Sequence, residues 1–466
     1  MRTDRLADHV VALTIVILAG LLAQACVSQQ DETSSTTGAP KVILIIGDGM
    51  DDQQITIARN YLVGSGGRLT LDELPFRGAV QVQTVDEDDP RQPVYVADSA
   101  NTATTMATGE LTSIGRIATT AGAGEDIDTI MELARAAGLG TGIVTTSSLT
   151  DATPAAFVAH VSQRFCQGPV DVAQGVERPA RVIDCSPNSK ASGGQGSIAE
   201  QIAESGVDIL LGGGSQYFDQ LVEGITATAV ADAARANGYD VIRERDELAN
   251  LGDESPVLGL FSPNTMPVRL RGAGGAEARR IEQVDGHVRL AEPFVCEPDP
   301  AFENTPTLAE MTRAALTHLD GIEGFMLMIE SASIDKQSHV RRPCGHIGEL
   351  GQLDETLAVA LEYSEVHPET LVLVTADHSH AAQIVSETGE FIALNFASPG
   401  YFARVRTPEG GVMGINYATN DSPIREYHTG SQIPVFGSGP GVGELPRFMR
   451  QAAIFAVMAR HLGLID

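Results

Sequence analysis

Three uninterrupted runs of apolar residues occur along the chain, and an acidic residue lies at the end of each. The runs and their acids are residues 41–47 with Asp48, 325–329 with Glu330, and 370–375 with Asp377. Continuous apolar runs of this length are typical of strands buried on both faces of a parallel sheet. A single acid after a strand is more often a helix N-cap, but three together favour a metal site at the carboxyl ends of the strands.

Helical patterns lie between these runs, at residues 128–137, 307–319 and 348–363, and further strand-like fragments at 140–145 and 207–211. This alternation predicts an α/β fold with a large, mostly parallel central sheet that has helices on both faces. Residues 387–417 alternate apolar and polar positions, which predicts a small β-rich insertion. The triple glycine at 212–214 lacks the Lys-Ser/Thr of a P-loop, so we interpret it as a tight turn.

Composition limits the partners. The 466 residues include 61 acidic and 31 basic side chains, for a net charge of −30, and 43% of residues are hydrophobic. A surface this acidic repels nucleic acid and anionic membranes. An anion site in such a chain needs strong local positive charge, which metal ions can supply.

The N-terminus predicts export. Two arginines precede a short apolar run, and the sequence Ala23-Gln24-Ala25 permits cleavage after Ala25. Cys26 follows directly and permits lipid attachment, so free secretion and lipid anchoring both stay open. We therefore expect a signal peptide at 1–25, a polar tether at 26–40 and a catalytic domain at 41–466.

The cysteine count agrees with export. Five cysteines leave Cys26 odd, and the other four are compatible with two disulfides in an exported chain. Buried free thiols are the alternative. Metal ligation by cysteine is disfavoured because no Cys-x-x-Cys pair occurs.

Candidate metal ligands come from separate segments. Asp335 and His339 have the i, i+4 spacing that places both on one face of a helix. Further candidates are the adjacent Asp377 and His378, and His428 in a polar loop. Carboxylate and imidazole ligands without thiolate fit zinc, with manganese, cobalt and iron left open.

A second kind of ligand set contains only oxygen donors. Glu330 and Thr153, together with Asp48, would suit a harder ion such as magnesium. Thr153 directly precedes Pro154. Taken by itself, that arrangement favours a helix N-cap at Thr153 over a metal ligand.

Ser99 is the candidate nucleophile. It follows Asp98 where a helix could begin, and no Gly-x-Ser-x-Gly elbow surrounds it, which disfavours acyl transfer. Two metals that activate a serine hydroxyl favour phosphoryl transfer. Arg164 is a planar donor suited to phosphate, but it would lie about 15 Å from Thr153 along a straight helix. It can join the site only if the chain turns back, which we place just after His160.

Six segments together resemble the alkaline phosphatases, specifically the bacterial secreted type. They are residues 47–50, 98–100, 151–164, 330–339, 375–378 and 428–432, and the resemblance runs from about residue 41 to the C-terminus. It implies a homodimeric phosphomonoesterase acting on varied phosphate monoesters through a covalent phosphoserine, with two Zn²⁺ and one Mg²⁺ in each subunit. A phosphodiesterase or sulfatase, and a surface lipoprotein that binds without catalysis, are the competing hypotheses.

The resemblance also implies a role for each matched residue. Ser99 is the expected nucleophile, and Arg164 the phosphate-binding group, oriented by Asp98. The expected metal ligands are Asp335, His339 and His428 for one zinc, Asp48, Asp377 and His378 for the other, and Asp48, Thr153 and Glu330 for magnesium. The polar residues expected around these ligands are Asp151, Lys336 and His380. The implied disulfides are Cys166 with Cys185 and Cys296 with Cys344.

Two residues depart from the family pattern. Asp51 and Ser331 stand where the family commonly has glycine, each close to an expected ligand. Neither is an expected ligand, so we expect catalysis to survive.

Overall fold

The structure is a computed structural model that describes residues 38–179, 181–252, 255–284, 287–386 and 400–466. The expected signal peptide, Cys26, most of the tether and residues 387–399 of the predicted insertion lie outside the described residues. None of the described helices has the length and apolar character needed to cross a membrane.

A ten-stranded sheet is the largest element. Its strands in chain order are β1 (Lys41–Gly47), β2 (Phe76–Gln81), β3 (Gly140–Ser148), β4 (Ile209–Gly213), β5 (Asp240–Ile242), β6 (Val257–Leu260), β7 (Phe325–Ser331), β8 (Thr370–Ala376), β9 (Ile433–Ser438) and β10 (Phe448–Arg450). Across the sheet they follow the order β10-β2-β9-β8-β1-β7-β3-β4-β6-β5. Only β9 is antiparallel to its neighbours, β8 and β2. The prediction of a large, mostly parallel sheet is confirmed.

Described helices lie between many, though not all, of these strands along the chain. They are α1 (Asp52–Leu62), α2 (Ser99–Thr108), α3 (Ile130–Ala136), α4 (Ala152–Ala155), α5 (Pro169–Gln174), α6 (Ile198–Glu204), α7 (Ser215–Phe218), α8 (Val230–Ala236), α9 (Leu308–Leu319), α10 (Ser333–His339), α11 (Pro343–Val366) and α12 (Ala452–His461). Helix α11 begins five residues before the predicted start, because Pro343 takes its first turn, where no backbone N–H is needed.

Every residue of β1, β7 and β8 is buried, which explains their uninterrupted apolar sequences. The three strands are neighbours in parallel register, with Ile46 opposite Glu330 on one side and opposite Thr375 on the other. Their carboxyl ends therefore lie side by side. The acids that follow or end these strands meet at one edge of the sheet.

Smaller elements surround this frame. A four-stranded sheet has the order Arg279–Arg280, Tyr401–Arg406, Val412–Tyr417 and Gln383–Val385. Its two central strands belong to the predicted β-rich insertion, while the outer two come from segments outside it. Two-stranded pairings join Thr84–Val85 with Pro93–Val94, Val176–Arg178 with Arg181–Ile183, Leu270–Gly272 with Cys296–Pro298, and Glu282–Val284 with His287–Arg289. Short 3₁₀ turns occupy Thr70–Glu73, Ser186–Asn188, Lys190–Ser192, Arg245–Asn250, Ala273–Gly275, Pro300–Phe302 and Val442–Glu444.

Both disulfides implied by the resemblance are present. Cys166 is bonded to Cys185, with Cα atoms 5.5 Å apart, and Cys296 to Cys344, with Cα atoms 5.4 Å apart. The second bond ties a short strand to the first turn of α11. The predicted turn at the triple glycine is also present, since β4 ends at Gly213 and Gly214 adopts φ of +100° before α7.

Candidate active site

Three buried carboxylates lie at the carboxyl edge of β1, β7 and β8. Asp48 follows β1, Asp377 follows β8, and Glu330 is the last residue but one of β7. None is more than 3% exposed. Burial of like charges in one place is unfavourable unless cations balance them. The sequence-based expectation that these acids gather at one edge is confirmed.

Ser99 is the first residue of α2. Asp98 has an extended backbone and accepts a hydrogen bond from Asn101 N at 3.2 Å, which starts the helix at Ser99. Backbone N–H groups at a helix N-terminus favour an anion bound there. Ser99 Oγ lies 3.2 Å from His378 Nε2. The predicted position of the serine at a helix start is therefore confirmed.

Asp48, Asp377 and His378 form one group whose ligand atoms converge. His378 Nε2 lies 3.4 Å from Asp48 Oδ1 and 3.2 Å from Asp377 Oδ2. Its Nδ1–H donates to the carbonyl oxygen of Ser379 at 3.3 Å, which leaves the Nε2 lone pair free. Tetrahedral ligands about 2.0–2.1 Å from zinc stand about 3.3–3.4 Å apart. The group fits that spacing, and Ser99 Oγ lies close enough to complete it.

The backbone fixes the orientation of Asp377. Gly49 N donates to Asp377 Oδ1 at 2.9 Å, and His378 N donates to the same oxygen at 2.8 Å. Gly49 has φ of +68°, in the left-handed region that favours glycine. These bonds leave Asp377 Oδ2 for a cation.

Asp335, His339 and His428 form the core of a second group. The Nε2 atoms of the two histidines are 3.2 Å apart, and each lies 3.3 Å from an oxygen of Asp335. His339 Nδ1–H donates to Glu426 O at 2.6 Å and His428 Nδ1–H donates to Ala97 O at 2.9 Å. Both Nε2 lone pairs are therefore free, again at zinc-like spacing. Asp335 and His339 lie on α10, as their spacing predicts.

His380 lies within the same group but has a different protonation pattern. Its Nδ1 accepts a hydrogen bond from Ala381 N at 2.7 Å, so the neutral ring carries its proton on Nε2. That Nε2 lies 3.3 Å from Asp335 Oδ1. An N–H group beside a carboxylate oxygen supports the ligand rather than the metal.

The two groups touch through their histidines. The rings of His378 and His428 stack with centroids 3.7 Å apart. Two cations held by these groups would therefore be close neighbours, as in two-metal sites that stabilise the attacking and the leaving oxygen of a displacement.

Buried polar atoms without partners test whether cations fit. Among the described residues, the buried site oxygens that accept no hydrogen bond include Asp48 Oδ1, Thr153 Oγ1 and Asp377 Oδ2. Each belongs to an expected metal ligand. A buried oxygen without a partner costs free energy, so the chain is suited to cations at these places.

The pKa values of Asp48, Asp377 and Glu330 also indicate that this place suits cations. Burial, and then the charges of Asp377 and Asp335, raise the pKa of Asp48 well above its usual value. Burial is also the largest cause that raises the pKa of Asp377 to about 6 and that of Glu330 to about 7. Divalent cations would hold all three carboxylates ionised.

Thr153 does not cap a helix, so the interpretation based on its own sequence context was wrong. Helix α4 begins at Ala152, and its N-cap is Asp151, whose carboxylate accepts from Ala152 N at 2.8 Å. Proline is tolerated at any residue of the first turn, so Pro154 did not specify which residue is the cap. The hydroxyl of Thr153 is left buried and free to bind a cation.

Three contributors to the site were not recognised in the sequence. The hydroxyl groups of Thr145 and Ser147, at the end of β3, donate to Glu330 Oε2, that of Ser147 at 3.0 Å. Glu426 holds His339 through its backbone oxygen, and its buried carboxylate accepts from Arg341 Nε at 2.9 Å. For Thr145 and Ser147, the sequence signal was the polar run Thr-Thr-Ser-Ser at 145–148, which follows the apolar part of the strand.

Arg164 reaches the site because α4 is short. The helix ends at Ala155, before the predicted point, and Val161 then pairs with Ile117. Arg164 Nη1 donates to Asp98 Oδ2 at 3.2 Å and Nη2 to Asp151 Oδ1 at 3.0 Å. The predicted return of the chain is confirmed.

Lys336 adds a second cation to this cluster. Its Nζ donates to Asp151 Oδ2, on the other side of the carboxylate that holds Arg164. Although burial opposes ionisation, the charges of Lys336 and Arg164 hold the pKa of Asp151 below its usual value. Asp98 and Asp151 therefore fix the guanidinium in the cavity that Ser99 also lines, and Lys336 holds Asp151 in place.

The two departures from the family pattern have local structural roles. Asp51 caps α1, accepting from Gln53 N at 2.9 Å and Gln54 N at 3.0 Å, and burial raises its pKa to about 6. Ser331 Oγ donates to Glu349 O at 3.0 Å. Neither side chain replaces an expected ligand.

Ser99, Arg164 and the second metal-binding group open into one cavity of about 790 Å³. A larger cleft of about 950 Å³ lies beside Arg245–Asn250 and α9, and its lining contains neither group. We place the candidate chemistry in the smaller cavity, because it holds the candidate nucleophile Ser99, a fixed guanidinium and atoms arranged to suit cations. Such a site is suited to the hydrolysis of phosphate monoesters.

Comparison with known proteins agrees with a site for the hydrolysis of phosphate monoesters. A family model described as alkaline phosphatase matches residues 39–403. The chain therefore belongs to the alkaline phosphatase family and is a phosphoric monoester hydrolase.

Individual relatives cover nearly the whole chain. A streptomycin-6-phosphate phosphatase of Streptomyces griseus is 40% identical over 94% of this chain and 93% of its own length. An alkaline phosphatase of Escherichia coli K12 is 38% identical over 93% of this chain and 88% of its own. The Thermus thermophilus alkaline phosphatase structure has a TM-score of 0.67 at 19% identity, covering 93% of each chain, and supports the fold.

Proposed function

We propose that this chain is an exported phosphomonoesterase that hydrolyses varied phosphate monoesters through a covalent phosphoserine on Ser99, with two zinc ions and one magnesium ion. The observation that carries the proposal is the position of Ser99 Oγ, 3.2 Å from the free Nε2 of His378 in a group spaced for zinc. A serine hydroxyl is a weak nucleophile without such an activating neighbour.

The ligand sets follow the family resemblance, and free histidine lone pairs and unpartnered oxygens support them for every ligand except Glu330. One zinc ion would be held by Asp48, Asp377 and His378, the other by Asp335, His339 and His428, and magnesium by Asp48, Thr153 and Glu330. Bound cations would polarise the phosphoryl oxygens and favour ionised Ser99. His380 is assigned to hold Asp335 in place, because its Nε2 carries a proton.

The reaction has two steps. Ser99 Oγ loses its proton to solvent and bonds to phosphorus, while the ester P–O bond breaks and the leaving oxygen takes up a proton. Water then attacks the phosphoserine, releases inorganic phosphate and restores the hydroxyl of Ser99. Throughout, the guanidinium of Arg164, held by Asp98 and Asp151, orients the phosphoryl oxygens.

Export and assembly are part of the same proposal. Two disulfides suit an oxidising compartment, in agreement with the apolar N-terminal run. Whether the mature chain is free or lipid-anchored at Cys26 is decided by mass spectrometry of its N-terminus. The expected homodimer is tested by light scattering on the purified protein.

The test is hydrolysis of a chromogenic phosphate monoester by purified protein, after chelation and again with zinc and magnesium restored. Ser99→Ala should abolish turnover, with exposed Ser192→Ala as the matched control. Mass spectrometry of acid-quenched enzyme should find phosphate on the peptide that contains Ser99. Full turnover by Ser99→Ala, or activity unaffected by chelation, contradicts the proposal. Streptomycin 6-phosphate and a phosphodiester belong in the substrate panel.

A further inference from the structure

The outer part of the catalytic cavity, here called the mouth, is mostly apolar. Six apolar residues line it: Val96, Ile114, Phe165, Val340, Ile424 and Tyr427. Five of them are more than 40% exposed, and Ile424 reaches 78%. Scattered exposed apolar side chains are ordinary, but several around one opening form a binding surface. A phosphoryl group at Ser99 would direct its leaving group towards this surface.

Arg425 is an unpaired cation in the mouth. Its Nε is buried and has no hydrogen-bond partner, and no carboxylate lies within ion-pair distance among the described residues. Its guanidinium lies 5.7 Å from the ring centre of Tyr427. Burial lowers its pKa; the charge of Asp335 acts against burial, while the charges of Arg164 and Arg178 act with it. An arginine nevertheless stays protonated, so a positive charge remains there.

Arg178 is a second cation that lines the same cavity. Its guanidinium lies 4.3 Å from the ring centre of Phe165, a stacking that holds it at the mouth. In the part of the chain that the structure describes, no carboxylate pairs with it. The two carboxylates of the mouth are engaged elsewhere, since Asp98 binds Arg164 and Asp335 lies among the histidines.

Two unpaired cations beside an apolar wall are notable in a chain of net charge −30. We infer that Arg425 and Arg178 form a second anion-binding subsite, which selects monoesters whose leaving group is apolar and carries its own negative charge. The inference rests on the proposed function and specifies its substrate class. Arginine suits a carboxylate or phosphate here, because its planar donors bind two oxygens at once.

The test compares two aryl phosphates of similar shape, 4-carboxyphenyl phosphate and 4-carbamoylphenyl phosphate. The wild type should favour the carboxylate by about tenfold in kcat/KM, the effect of one hydrogen bond between charged groups. Arg425→Gln should bring the ratio close to one, while Arg425→Lys should keep part of the preference. Arg245→Gln is the control, because its guanidinium pairs with Glu310 outside the mouth.

Each outcome has one meaning. A ratio near one in the wild type, or a ratio that Arg425→Gln and Arg178→Gln leave unchanged, overturns the subsite while turnover of both esters upholds the phosphatase. No turnover of either ester by the metal-loaded enzyme overturns the proposed function and this inference with it. A fall in the wild-type preference at high salt, absent in Arg425→Gln, supports the charge interaction.

Discussion

Glu330→Gln should stabilise the metal-free protein at alkaline pH, although it removes an expected magnesium ligand. Glu330 is 1% exposed, and burial is the largest cause that raises its pKa from 4.5 to about 7. Each pH unit of difference corresponds to about 1.4 kcal/mol, so the ionised side chain costs the metal-free fold about 3 kcal/mol at pH 8. Glutamine has the same shape and avoids that cost.

The sign follows from the protonation states. The folded pKa is above the unfolded value, so the folded chain binds more protons between about pH 4.5 and 7. The stability of the metal-free wild type therefore falls as pH rises through that window. At pH 5 the folded carboxyl is still protonated, and the benefit of Glu330→Gln should be less than about 1 kcal/mol.

Urea unfolding followed by circular dichroism, after chelation and at pH 5 and pH 8, measures both values. Asp72→Asn is the control with the opposite sign: burial raises the pKa of Asp72, but hydrogen bonds from Arg59 and Leu69 N, with the charge of Arg59, together lower it below its usual value. It should destabilise the fold at both pH values. The reasoning would be refuted if Glu330→Gln were less stable than the wild type at pH 8. It would also be refuted if the substitution changed the free energy of unfolding by the same amount at pH 5 and pH 8.

Three further outcomes are expected. Chelation should lower the Tm of the wild type more at pH 8 than at pH 5, because at pH 8 the buried carboxylates are ionised and no cation balances their charge. A decrease in Tm, measured by calorimetry, that is the same at both pH values contradicts this. Arg164→Lys should lower kcat/KM and weaken inhibition by phosphate about tenfold or more, since a point charge replaces a fork held by two carboxylates; unchanged inhibition contradicts it. Replacing Cys296 and Cys344 by alanine should lower the free energy of unfolding by about 4 kcal/mol, and replacing Cys166 and Cys185 should lower it by about 3 kcal/mol, because the closed loops span 48 and 19 residues. Urea denaturation without reductant measures both values. The reverse order would contradict the chain-entropy argument.

Local sequence was sufficient where neighbours along the chain decide the structure. The apolar runs predicted the central strands, because strands buried on both faces carry no polar alternation. The spacing of Asp335 and His339 predicted one face of a helix, and Asp98 before Ser99 predicted a helix start. Most candidate ligands were therefore recognised from segments that each carry their own signal.

The tertiary structure decided what no segment carries by itself. The order β8-β1-β7-β3 brings Asp377, Asp48 and Glu330 together, and the early end of α4 brings Arg164 to Asp98. The proton position on His380 depends on one backbone N–H. Periodicity records which face of an element is buried, whereas long-range packing decides which elements meet. The segments that carry the candidate ligands were recognised from the sequence. Their convergence at one edge of the sheet depends on the strand order, which only the tertiary structure shows.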